Sequence, residues 1–320
     1  MGHILFGILL FTQSTGTFSE LSNVEKTSQS KTVLSENPVY STAAIFAGVP
    51  LFATLVGMQL WEWGDTTHFK ANSDGWFSSN TTHGGADKMG HMMSFYSATK
   101  VLSWYFDKVF PGENVKSSFL GALLASIGGI CVEIGDGFAT NYGFSYTDLV
   151  ANSAGVLIAL GQRLFPGFDD LVDLSMFYFP SPGFFTKLNE NKTDVVTDYS
   201  GQLTTISLRL GGISWIKETP LRFIRFDVGY FTRCYQPYDN CSKERSGVSD
   251  FETRNIYYGV SFDFARMIQE KSSKNTFDRF LSRALRLYNI NGFFPIGINT
   301  DLNSGGSVSQ GISVRSVVSP

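Results

Sequence analysis

The chain is 320 residues long, enough for one large domain or two ordinary ones with a substantial buried core. Only 17% of it is charged, whereas 43% is hydrophobic and 15% aromatic with 29 Phe, a balance that suits a membrane interface better than cytosol. A net charge of −3 supplies no global basic field, which excludes sequence-independent nucleic-acid binding.

Taken in chain order, residues 4–11 form a short apolar run followed by Ser14, Thr15, Gly16 and Thr17. Residues 1–19 therefore read as a secretory signal with its cleavage region, although the leading segment offers His3 and no Lys or Arg. The plainer alternative is a frayed apolar terminus, because the run is too short to span a bilayer. No Cys lies near this end, so no lipid anchor is expected there.

Residues 20–42 are polar and Ser-rich and read as a flexible linker. Residues 43–166 hold four helical candidates and form the expected helical, membrane-associated domain. The first, Ala43 to Trp61, is apolar throughout and long enough to cross a membrane. The others run from about Asp87 to Phe106, Ser118 to Ile134 and Asp148 to Leu164. Small residues recur every fourth position on the last two, as Gly121, Ala125, Gly129 and as Ala151, Gly155, Ala159. Such stripes let backbones approach closely, either as membrane helices or as a buried hairpin of a soluble bundle.

Residues 167–197, with an aromatic, proline-broken stretch from Met176 to Phe185, read as an interfacial linker. Residues 198–320 form the β-rich half. Apolar residues alternate there with small or polar ones: Ile206, Leu208, Leu210; Ile224, Phe226, Val228, Tyr230; and Val260, Phe262, Phe264. Only about five strands are visible, fewer than the eight of the smallest membrane barrel, so a curved sheet packed on the helices or lying on a membrane is expected.

One amphipathic helix, Thr276 to Tyr288, interrupts the strands, with Asn275 as N-cap and Asp278 in its first turn. Its apolar stripe is Phe277, Phe280, Leu281, Ala284, Leu287 and Tyr288. Lys274, Arg279, Arg283 and Arg286 form a basic side suited to a membrane surface or to a solvated cover on the sheet. The fold class expected is thus α+β. Cys131, Cys234 and Cys241 make no zinc-ligand spacing. Cys131 reads as a core residue, and a local disulfide between Cys234 and Cys241 is feasible in an oxidising compartment.

The candidate site lies in the helical half. Asp87 and His91 stand four apart on one helix face, Glu133 and Asp136 three apart, and Asp148 and Asn152 four apart. Each pair has a structural explanation: Asp87 as a helix cap, His91 as a satisfied core histidine, Asp148 within a Ser145-led capping box and Asn152 as an interhelical hydrogen bonder. Glu133 and Asp136 are harder to dismiss, since carboxylates near a helix C-terminus oppose the macrodipole by about 0.3–1 kcal/mol each. In an antiparallel arrangement all six residues converge at one end of the bundle. They are the candidate catalytic residues, with Asp87, His91, Glu133 and Asp148 as candidate ligands for a divalent metal.

The strings Asp87-Lys88-Met89-Gly90-His91, Glu133-Ile134-Gly135-Asp136-Gly137 and Ser145 to Gly155, in that order, resemble an uncharacterised family of predicted periplasmic lipoproteins. More distantly they resemble VanZ-like membrane proteins. Residues 198–202 and 254–264 are similar to the C-terminal part of longer members, and the chain lacks the lipobox Cys of the lipoprotein label. The resemblance implies placement in a bacterial cell envelope, with membrane lipid and other envelope proteins as expected partners, and no reaction. No nucleophile elbow, P-loop, zincin or dinucleotide motif stands in a convincing context. Two uses of the cluster follow: a structural or binding role in a non-catalytic envelope protein, or a metal-dependent hydrolase or transferase acting on a lipid-linked or cell-wall substrate.

Overall fold

The computed structural model describes residues 33–72, 75–181, 184, 195–235, 252–271, 276–287, 296–303 and 308–309. The signal-like segment, Cys241, the Asn275 cap and the chain's last residues lie outside them, as do the side chains of Arg279 and Arg283. The fold is α+β. A short helix α1 (Val33–Glu36) leads into four long ones, α2 (Pro38–Leu60), α3 (Ala86–Val109), α4 (Asn114–Gly137) and α5 (Tyr146–Leu164), followed by α6 (Pro166–Leu171). The linker expected to reach residue 42 therefore ends early, with Pro38 in the first turn of α2, where its fixed φ suits a helix start.

The helices outrun their expected lengths. α4 extends four residues before Ser118 and three beyond Ile134. Both α2 and α4 are long and apolar enough to cross a membrane. α3 is the hub, packing against α4 and α5 and reaching the sheet. Leu102, Phe106 and Val109 of α3, Ala122, Leu124 and Ala125 of α4, and Val156 of α5 form the bundle core, against which Ile45, Phe46 and Val49 of α2 rest.

The glycine stripes set the spacing. A Cβ at Gly121 would run into the Ser103 backbone, and one at Gly155 into the Met92 carbonyl, so α4 and α5 touch α3 nearly backbone to backbone. The outward sides stay apolar: Leu51, Phe52, Leu55 and Met58 on α2, and Phe119, Leu123, Ile130 and Ile134 on α4, are each at least 45% exposed.

The sheet is a six-stranded antiparallel meander of order β1 to β6, namely β1 (Val172–Tyr178), β2 (Gln202–Arg209), β3 (Ile224–Arg233), β4 (Thr253–Phe262), β5 (Ile296–Asp301) and β6 (Val308–Ser309). Two expectations are corrected here. β1 occupies part of the stretch read as an interfacial linker, and Leu210 and Phe264 fall just outside their strands, in a 3-10 turn and at the start of α7 (Phe264–Lys271).

The amphipathic helix is α8 (Thr276–Leu287). Its Arg286 does not face solvent: Nη2 lies 2.9 Å from Asp169 Oδ1, clamping α8 to α6 beside Lys100 of α3 at 3.5 Å. Phe277 and Phe280 of the apolar stripe remain 64% and 42% exposed, so the helix does not simply cover the sheet. Burial alone would raise the Asp169 pKa, but the Arg286 and Lys100 charges override it and hold the carboxyl below its ordinary range. Cys234 is disulfide-bonded and Cys131 is free.

The sheet's burial is inverted. Arg225, Asp173, Asp227, Ser175 and Ser207 are all at most 1% exposed on one face. Arg225 Nη2 donates to the hydroxyls of Ser175 and Ser207, and its guanidinium lies 3.8 Å from Asp173 and 3.6 Å from Asp227. Arg209 pairs with Asp263 at 3.1 Å along the same side. The opposite face carries Ile, Leu, Val and Phe.

Candidate functional site

Three helix ends build the centre. Gly85, with φ of 87°, takes the N-cap position of α3 and leaves Asp87 and Lys88 in its first turn. Asp87 is thus no cap, and its carboxylate goes to an ion pair instead. Ser145 caps α5 as its sequence suggests, its hydroxyl accepting from the Asp148 N–H at 3.3 Å. The close approach of α4 and α5 to α3 brings Glu133 from the end of α4 and Asp148 and Asn152 from the start of α5 onto the start of α3.

Lys88 is the hub. Its ammonium is buried, with the side chain 2% exposed, 2.6 Å from Asp87 Oδ2 and 2.7 Å from Asp148 Oδ1. A second chain of contacts runs beside it: His91 Nδ1 lies 2.9 Å from Asn152 Oδ1, and Asn152 Nδ2 donates to Glu133 Oε1 at 3.3 Å. The Ser145 N–H also donates to Glu133, at 3.2 Å.

His91 is nearest carboxylates at ion-pair range, 3.6 Å from Glu133 and 4.0 Å from Asp148, and its hydrogen bond is to the amide. With Nδ1 donating to Asn152, a neutral ring turns the Nε2 lone pair toward Asp148. His91 is also the part of this centre that meets solvent, at 19% side-chain exposure against 1% for Glu133.

Asp136 belongs to the same end of the bundle but faces another partner, accepting from Trp63 Nε1 at 2.7 Å. The Trp63 ring is seated against Gly57 of α2 and Gly135 of α4, where any Cβ would overlap it, and so locks the C-terminal ends of those two helices together. Of the six predicted residues, five therefore join through Lys88 or Asn152, and Asp136 sits alongside. His91, Glu133 and Asp148 each offer one ligand atom, all within 4.8 Å of one another.

Sequence reasoning missed Lys88 and Trp63. Lys88 carried a signal: it lies within one turn of Asp87 and His91 at the start of a helix, where a cation opposes the dipole and needs anionic partners. Trp63 carried none, since its role depends on two glycines far away in sequence.

Residues 73–162, which contain every residue of this centre except Trp63, match the family described as "Predicted periplasmic lipoprotein (DUF2279)". That description implies a cell-envelope, membrane-associated protein, and the resemblance to VanZ-like proteins gains no support from it. No curated protein and no solved structure matches the chain.

Proposed function

We propose that the protein is a non-catalytic membrane protein of the bacterial cell envelope, in which the Asp87, Lys88, His91, Glu133, Asp148 and Asn152 network fixes the helical bundle while the β half meets lipid or a partner. The observation that carries this reading is the buried Lys88 ammonium held between Asp87 and Asp148 at 2.6 and 2.7 Å. A cation built into the chain already stands where a divalent ion would have to draw on Asp148. The cost of desolvating it is met by paired carboxylates, as in a structural network.

A second reading, a metal-dependent hydrolase or transferase, draws on the ligand atoms of His91, Glu133 and Asp148 and on the partial exposure of His91. Metal analysis of protein purified from membranes separates the two. In the structural reading the protein carries no stoichiometric metal, and His91→Ala and Glu133→Gln lose stability alone. Stoichiometric zinc, manganese or iron that disappears in both variants would establish the metal reading instead.

A further inference from the structure

The apolar face of the sheet is built in register. Ile206, Val228, Tyr258 and Ile298 pair across β2 to β5 in one row, and all four are 45–51% exposed. Leu208, Phe226, Val260 and Ile296 form the next row, 41–65% exposed. The patch is four strands wide and two rows deep and contains no charged or small polar side chain, and a contiguous exposed apolar surface of this kind marks an interaction or membrane site.

We propose that this face of β2 to β5 contacts the acyl chains of a bilayer. Three features of the molecule select lipid. First, the opposite face buries the Arg225, Asp173 and Asp227 network beside an apolar cluster of Phe177, Leu203, Phe231 and Tyr257, so the sheet's charges lie inside while its outward rows are apolar, as on the lipid side of a strand wall in hydrocarbon.

Second, both ends of the patch are bounded by aromatic residues beside charges. Trp215 is 76% exposed in the β2–β3 connection, next to exposed Lys217 and Glu218. At the far end Trp76 and Phe77 are 41% and 39% exposed, Phe77 stacks edge-on against Tyr230, and Arg254 donates to the Phe77 carbonyl. Such girdles mark the two water interfaces of membrane strands. β3 and β4 are ten residues each, within the roughly 9–11 of a membrane-crossing strand.

Third, the patch continues sideways into the helical half. Leu174 and Met176 of β1 lie on the same face and are covered by Met93, Tyr96 and Ala159 of α3 and α5. At the β1 edge the bundle also supplies a polar contact, Gln162 Nε2 donating to the Val172 carbonyl at 2.7 Å.

This inference rests on the membrane reading above and is independent of what the His91 centre does. Its test is nitroxide accessibility in the full chain, reconstituted into phosphatidylethanolamine–phosphatidylglycerol vesicles, with the free thiol removed by Cys131→Ser. Single labels at Val228→Cys and Val260→Cys are expected to collide with oxygen and to be shielded from the nickel complex Ni-EDDA. A label at Glu218→Cys is expected to show the reverse. Nickel accessibility at 228 and 260 would overturn the proposal, and so would shielding from both reagents, which signals a second copy or another protein segment over the face. Flotation of the unlabelled chain with the same vesicles tells a wrong face from a protein that is not in the membrane at all.

Discussion

Among the described residues two buried ionic networks stand out, and they differ in closure. In the sheet, Arg225 and Arg209 meet Asp173, Asp227 and Asp263, with serine hydroxyls filling the gaps and every group at most 5% exposed. In the bundle, four carboxylates gather about one lysine and one histidine, and the histidine reaches solvent. A sealed network in which every carboxylate has an arginine within ion-pair range can hold a fold and do little else. One that opens to solvent at a histidine can also admit a cation, which is why the sheet network enters no functional reading and the bundle network enters two.

The largest effect expected from this contrast belongs to the sealed network. Arg225→Met leaves Asp173 and Asp227 buried without their cation, and removing one partner of a buried pair costs about 3–5 kcal/mol. Urea unfolding in detergent should register that loss, with part of it recovered when Asp173→Asn and Asp227→Asn are added. An unchanged midpoint would mean that water reaches the inner face.

Lys88→Met strips the bundle network in the same way and should cost about 3 kcal/mol, since it leaves Asp87 and Asp148 without the ammonium between them. The two networks should then part company on adding magnesium or zinc. Recovery of the Lys88→Met midpoint by either ion would show that the bundle centre accepts a divalent cation once the lysine is gone. No recovery leaves the structural reading intact, and Arg225→Met should show none.

Next in size is the close packing that brings the bundle network together. Gly155→Ala places a methyl against the Met92 backbone carbonyl, which cannot swing aside, so a loss of about 1–3 kcal/mol is expected. Gly161→Ala on the same helix meets only the Phe168 ring at 3.4 Å and should be neutral or slightly stabilising. Equal losses in thermal unfolding of the two variants would show that helix propensity, and not the α3–α5 approach, sets the cost.

The bundle was legible in the sequence because its signals are local. The small-residue stripes, the Ser145 cap and the three polar pairs all follow from helical spacing, and the helices needed only to be antiparallel for the pairs to meet. Lys88 was obscured because a lysine at a helix start reads as solvated until Asp148, sixty residues on, is placed against it. In the sheet the alternation was visible at Ile224, Phe226 and Val228, but not which face is inside. Period two says that two faces differ, and only the burial of Arg225 shows that the polar one is inward. β1 was lost because the aromatic, proline-broken stretch from Met176 onward read as an interfacial linker, and the short run before it, with Asp173 and Ser175 facing inward, gave no alternation long enough to stand out.

The smallest effect concerns the clamp that joins the two regions. Asp169 in α6 accepts from Arg286 of α8 at 2.9 and 3.2 Å and lies 3.5 Å from Lys100 of α3, so one carboxylate ties a bundle helix to the amphipathic helix of the β half. Its pKa is depressed in the folded chain, because Arg286 and Lys100 outweigh the burial that would raise it. A depressed carboxyl contributes stability that is fully present above its unfolded value near 4 and is lost as pH falls through the folded value. The pair is partly exposed, so about 1 kcal/mol is expected. Asp169→Asn should therefore lower the unfolding midpoint slightly at pH 7, and wild type and variant should converge as the pH drops below about 4. A difference that persists undiminished at pH 3 would assign the effect to lost hydrogen bonding, leaving the charge of the clamp without a measurable part in joining the two halves.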